Sequence, residues 1–120
     1  MKHELMSDSG PLFAAVAVAT VLLAPLPAAA EIDVEGAEAL ARRESCLKCH
    51  GIDKKKDGPS YKQVAAKYRG KPDAEERLIE HVKSGKTIKL PNGDREEHRI
   101  LKFADEKETR NLVQWILSIE

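Results

Sequence analysis

An all-α fold of about four helices in one small domain is what this sequence predicts. Two observations carry that reading. Helix-capping signatures recur ahead of apolar residues spaced to share one helical face, and no segment shows the alternation of a half-buried strand. Between the third and fourth helical segments lies a long polar stretch, Lys86 to Lys102. Loops of that length in a compact domain usually carry function.

In chain order, residues 1–30 come first. Leu12 to Ala24 is almost wholly apolar, followed by Pro25-Leu26-Pro27 and then Ala28-Ala29-Ala30 before Glu31. This is a secretory signal peptide with a small-residue cleavage site, expected to be cut after Ala30. The apolar run is shorter than the roughly 20 residues a membrane helix needs. The leading segment holds Lys2 but also Glu4 and Asp8, and an uncleaved anchor is the alternative. Removal of the leader makes residues 31–120 a single domain of 90 residues, with no stable membrane insertion.

Within that domain, Ala37 to Cys49 is the first expected helix, with Ala37 and Leu40 on one side and Leu47 two turns on. Ser60 N-caps a second helix that runs through Tyr68 and ends at Gly70 and Pro72. Asp73 opens a third, with Glu76 as capping-box partner, an apolar stripe of Leu78, Ile79 and Val82, and Gly85 as its stop. Pro91-Asn92-Gly93-Asp94 marks a turn inside the polar stretch. Asp105 with Glu108 repeats the capping box before a fourth helix whose Leu112, Trp115, Ile116 and Ile119 share a face.

The most specific chemistry lies at Cys46-Leu47-Lys48-Cys49-His50, the C-x-x-C-H signature of covalent c-type haem attachment. Thiols three residues apart stand about one helical turn from each other and can add to the two vinyl groups of one porphyrin. The adjacent histidine then gives its imidazole to the iron. Three duller readings compete. A thioredoxin-like dithiol belongs after a strand in a βαβ pattern, which is absent. A structural zinc site needs a second ligand pair, and these are the only two cysteines. A stapling disulfide leaves His50 unexplained.

Composition agrees with a haem protein. The whole chain holds 20 basic and 20 acidic residues. Lys2, Glu4 and Asp8 leave with the leader, so the mature domain is near neutral and offers no field for nucleic acid. Its aromatics are Tyr61, Tyr68, Phe103 and Trp115. So short a chain with so few large apolar groups has little core of its own, and a buried porphyrin would supply apolar surface. The haem-free form is expected to fold poorly.

The arrangement resembles the small monohaem class I bacterial cytochromes c over nearly all of the mature chain. The matches are the haem motif with Gly51-Ile52-Asp53, then Gly58-Pro59-Ser60-Tyr61 and on through Tyr68. Val82-Lys83-Ser84-Gly85 and Leu112 to Ser118 are also alike. The resemblance implies the small class I fold, about four helices wrapped around one covalently attached haem c. It implies electron exchange with redox partner proteins. The residues themselves offer no catalytic acid, base or nucleophile constellation, so no enzymatic activity is expected. The resemblance also gives the Pro59 carbonyl the role of accepting a hydrogen bond from His50 Nδ1. Such a bond fixes the ring and makes the ligand more electron-rich.

Departures from that pattern are equally informative. Family members commonly carry an aromatic near Ala41 and an apolar pair near Lys56-Asp57; this chain is smaller at the first place and more polar at the second. The sixth iron ligand of the family is usually a methionine late in the loop before the last helix. Here the only methionines are Met1 and Met6, both in the leader. The mature chain offers His50, His81 and His98. His81 falls off the Leu78/Val82 stripe and is expected as a partly exposed surface histidine. His98 lies in the long loop, near the family's methionine position, and is the expected distal ligand. The alternatives are a lysine, another group or an open site. Lys54-Lys55-Lys56, beside the motif, either guides an acidic partner or is a solvated loop.

The functional expectation is a periplasmic, soluble one-electron carrier with low-potential bis-histidine haem: His50 and His98 on the iron, Cys46 and Cys49 on the porphyrin. Against it stand a haem-based small-gas binder or sensor with a displaceable sixth site, and peroxide chemistry at an open iron.

Overall fold

The computed structural model describes residues 10–11, 24–25 and 30–120, so the expected signal peptide falls almost wholly outside the described residues. Four helices carry the domain: α1 (Val34–Arg43), α2 (Tyr61–Tyr68), α3 (Ala74–Ser84) and α4 (Glu106–Ser118). The all-α expectation holds in outline. No helix among the described residues is long and apolar enough to cross a membrane.

Helix α4 is the hub, packing against α1, α2 and α3. Its sequence explains why it can be. Asp105 and Glu108 close a reciprocal capping box, the Asp105 carboxylate accepting from Glu108 N and the Glu108 carboxylate from Asp105 N. Past the cap, Leu112, Val113, Trp115 and Ile116 are all buried. Together with Ala37, Leu40 and Ala41 of α1, Tyr61 of α2 and Leu78 of α3 they form the core. Ala41, the small residue noted above, is fully buried in this core.

Helix α2 repeats the capping device: Ser60 Oγ accepts from Gln63 N, and the Gln63 side chain returns to Ser60 N. Gly85 closes α3 in the left-handed region at φ 61°, the conformation that favours glycine at a helix end.

Three local expectations need correction. The first helix does not run through the cysteines. Asp33 caps it by accepting from Gly36 N, it ends at Arg43, and Ser45 stands at φ 61°. The motif then occupies a separate 3-10 turn, Cys46–Lys48. A continuous helix would keep the cysteines on a cylinder pointing with the α1 face; the left-handed break re-aims them. Asp73 forms no side-chain cap on α3. Its carboxylate instead takes Arg77 Nε at 2.7 Å, so no capping box forms with Glu76. Finally, the polar stretch contains a small antiparallel hairpin, β1 (Thr87–Lys89) with β2 (Arg95–Glu97), paired Thr87 to Glu97 and Lys89 to Arg95. The turn expected at Pro91–Asp94 joins the two strands, with Gly93 at φ 95°. The strands are three residues each and mostly exposed, so no alternation betrayed them.

Candidate haem site

All the expected site residues meet in a single cavity of about 930 Å³. That is large for a cofactor-sized cleft, for which about 300–1,000 Å³ is usual. Cys46, Cys49, His50, Pro59 and His98 line it, together with His81. Met1 and Met6 lie outside the described residues.

The cysteine side is built by short local bonds. Cys49 N and His50 N both donate to Cys46 O, at 3.2 and 3.0 Å, which folds the motif into one tight turn. Cys46 and Cys49 are free thiols. Burial pushes the Cys46 thiol above its ordinary range, with Glu44 adding to the effect, and a hydrogen bond with Tyr61 partly opposes it. A redox-active dithiol needs the opposite, a stabilised thiolate.

His50 is held on three sides. Its Nδ1 lies 2.7 Å from the Pro59 carbonyl, the distance of a strong hydrogen bond in which the ring N–H donates. Tyr61 stacks on it, ring centres 5.4 Å apart and planes 19° from parallel. Tyr61 in turn meets Trp115 of α4 edge-on at 5.6 Å. The imidazole is therefore braced, through two aromatic rings, on the central helix. Gly58 closes the third side: a Cβ there would stand 2.6 Å from His50 Cε1. The loop from Gly51 to Ser60 is fixed by Gly58 N to Cys49 O at 2.8 Å and Tyr61 N to Gly51 O at 2.8 Å. Lys56, one of the three lysines beside the motif, spends its ammonium on the Leu47 carbonyl at 2.7 Å. It is part of this scaffold, while Lys54 and Lys55 remain exposed.

His98 is half-buried, its ring centre 6.0 Å from that of His50. Backbone bonds pin its loop on both flanks, His98 N to Lys86 O at 2.9 Å and Leu101 N to Val82 O at 3.0 Å. A third tie joins Lys102 N to the buried carboxylate of Glu44, 58 residues away. Sequence reading placed His81 on the surface. It is instead half-buried, lines the cavity, and stands 4.1 Å from His98 between ring centres. Burial, with His98 and His50 beside it, pushes its pKa down to about 4. His98 is lowered too, by burial first and then by His50. Periodicity within α3 points His81 outward, and no local sequence signal marks the loop that covers that face.

These residues fit a covalent haem. Two free thiols, a braced imidazole and a second imidazole face one cavity, and two of its polar atoms, His98 Nδ1 and Glu44 Oε1, are buried with no partner. Among the described residues no cluster of three or more acidic, cysteine or histidine side chains forms a metal site of another kind.

Comparison with known proteins points the same way. The family model described as cytochrome c matches residues 34–120. Cytochrome c-551 of Pseudomonas aeruginosa is 34% identical over 89 residues, which span 70% of this chain and 77% of that one. Cytochrome c-552 of Hydrogenobacter thermophilus is 35% identical over 88 residues, 69% of this chain and 81% of that one. Among solved structures, the class 1 cytochrome MtoD of Sideroxydans lithotrophicus superimposes with a TM-score of 0.73 at 56% identity, covering 74% of this chain and 98% of that one. Cytochrome c552 of Nitrosomonas europaea gives a TM-score of 0.58 at 28% identity, covering 69% and 99%.

Proposed function

This chain belongs to the cytochrome c family and carries one covalent c-type haem, and from that premise we propose that it is a periplasmic electron carrier with bis-histidine, low-potential iron. A bound haem would supply one-electron ferric/ferrous chemistry. The protein's part is to hold the two axial donors, shield the porphyrin and leave a route for a redox partner.

The observation that carries the reading is the 6.0 Å between the ring centres of His50 and His98. Two imidazoles this close could both reach one metal ion, since an imidazole nitrogen binds a metal at about 2 Å; His50 and His98 would then hold the iron of a bound haem. Pro59 makes His50 electron-rich through its hydrogen bond, and an imidazole in place of a thioether favours ferric iron further. Both effects lower the reduction potential relative to methionine-ligated members of the family. Partners are redox proteins, and the exposed Lys54 and Lys55 beside the motif would favour an acidic docking face. Export through the 1–30 leader puts haem attachment outside the cytoplasm.

The test is spectroscopic. Optical and paramagnetic-resonance spectra of the holoprotein should show low-spin iron in both oxidation states. His98→Ala should add a high-spin component and new carbon monoxide binding, whereas His81→Ala should keep the iron low-spin. The reverse result would make His81 the ligand. No change in either variant would assign the sixth position to another donor. Intact mass should give a chain from Glu31 plus one haem; Met1 retained in a membrane fraction would make the leader an anchor.

A further inference from the structure

Glu44 is the one acidic or basic side chain buried among the described residues. Removing a carboxylate from water costs free energy unless hydrogen bonds or an opposite charge offset it. Glu44 has little of either. Its Oε2 accepts from Lys102 N at 3.3 Å, while Oε1 is buried without a partner. A group kept dry on such terms calls for a role, and the placement of its one partner supplies it.

The two ends of that bond belong to the two halves of the haem site. Glu44 closes α1, its N–H bonded to Leu40 O at 2.9 Å, and the left-handed Ser45 and then Cys46 follow at once. Like Cys46, it lines the cavity, and its charge helps to push the Cys46 thiol up. Lys102 stands four residues after His98. The other two ties on that loop, His98 N to Lys86 O and Leu101 N to Val82 O, run to the end of α3 and its exit. Neither α3 nor its exit holds a cysteine. Among the described residues, the Lys102–Glu44 bond is the one hydrogen bond from residues 98–104 to the segment that leads into the cysteine motif.

We propose that Glu44 is a positioning residue for the distal ligand: its carboxylate ties the His98 loop to the cysteine turn and so keeps His98 at the iron of a haem fixed through Cys46. The proposal rests on the ligation by His98. The α3 ties set the loop against the helices, whereas the Glu44 tie sets it against the porphyrin attachment. A charged acceptor makes this bond stronger than one between neutral groups. Without it His98 would leave the iron more often, although the domain would stay folded. The backbone ties survive any side-chain substitution; this one does not.

The experiment compares Glu44→Leu and Glu44→Gln as ferric holoproteins, by the rate of cyanide uptake. Cyanide binds six-coordinate iron only after the distal imidazole has left, so the rate reads how often His98 lets go. Glu44→Leu removes the acceptor and should stay low-spin while taking up cyanide about tenfold faster, as for one hydrogen bond to a charged group. Glutamine keeps an acceptor oxygen without the charge, so Glu44→Gln should fall between leucine and wild type. A general loss of packing would not be reversed by an amide. Wild-type uptake in Glu44→Leu would overturn the proposal, as would a glutamine variant as fast as the leucine one. The wild-type protein gives a test that survives a leucine variant unable to mature. Its Lys102 amide should be protected from hydrogen exchange in the ferrous state, and exchange at the rate of an unstructured peptide would overturn the proposal. His98→Ala separates the two levels. If it stays low-spin, the ligation is wrong and the proposal falls with it. If it opens the iron while Glu44→Leu takes up cyanide at the wild-type rate, the ligation stands and only the proposal falls.

Discussion

Gly58→Ala is the smallest change that reaches the iron through the protein. The new methyl would stand 2.6 Å from His50 Cε1, 2.9 Å from Nδ1 and 3.2 Å from Nε2. Ordinary contact between such atoms begins at about 3.5 Å, so the ring or the loop must give by about 0.9 Å. The ring cannot yield freely, since Tyr61 stacks on it and is itself held against Trp115. The loop is tied by Gly58 N to Cys49 O. Nor is backbone strain the issue, because Gly58 is not among the positive-φ glycines. Moving the imidazole by this amount along the Pro59 bond would stretch 2.7 Å to about 3.6 Å, beyond a useful hydrogen bond. Overpacking costs about 1–3 kcal/mol, which for a domain of this size lowers Tm by roughly 5–20 °C. Loss of the Pro59 bond should also raise the potential and weaken the iron–His50 bond. Thermal melts followed at the haem absorbance, with a spectroelectrochemical titration, test both effects. A variant with wild-type Tm, potential and spin state would show that Gly58 is not wedged against the ligand.

Other predictions follow from the same geometry. The double change Cys46→Ala and Cys49→Ala should give a chain with weak helical circular dichroism and a broad thermal transition, because the cavity walls lose the group that fills them; a cooperative apo domain would contradict this. His81 is held near pKa 4 when folded against 6.5 when unfolded. The unfolded chain then binds more protons between those values, so stability is complete above about pH 6.5 and falls as pH drops toward 4. His81→Gln should flatten that slope in melts recorded across the range, and an unaltered slope would reject His81 as its source. Asp105→Ala removes a complete capping box and should cost about 1 kcal/mol in denaturant unfolding, whereas Asp73→Ala, which loses no cap bond, should cost clearly less.

The legible parts of this fold were those written in short-range chemistry. Ser60 and Asp105 announce helix starts because their side chains bond within three residues, and Gly85 announces a stop because a left-handed turn favours it. The haem motif is equally local. What the sequence left unmarked was local competition for a side chain, backbone conformation without a signature, and partners far along the chain. Asp73 looks like Asp105 in sequence, but Arg77 competes for its carboxylate. Ser45 in the left-handed region has no local signature, so the motif was read as continuing α1. The hairpin β1–β2 pairs by backbone alone, with little burial to leave a pattern. His81 was assigned outward from the stripe of its own helix, since the loop that covers that face returns from residues 98–101. Glu44, buried at 6% exposure and receiving Lys102 N, was missed for the same reason. Its partner lies 58 residues downstream.

Those backbone ties around His98 bear on how fast an electron can enter or leave. The rate of electron transfer at a given driving force depends on reorganisation energy, the cost of moving nuclei from their reduced to their oxidised positions. A donor on a free loop would shift with each change of iron charge and carry solvent with it. Here the peptide groups at 98 and 101 are bonded to the end of α3, and Lys102 is anchored on Glu44. The His98 imidazole is mounted on a frame that already belongs to the folded state, and the His50 ring is braced on α4. On the proposed ligation both donors would keep their places while the charge between them changes, and little of the energy of transfer would go to moving the loop.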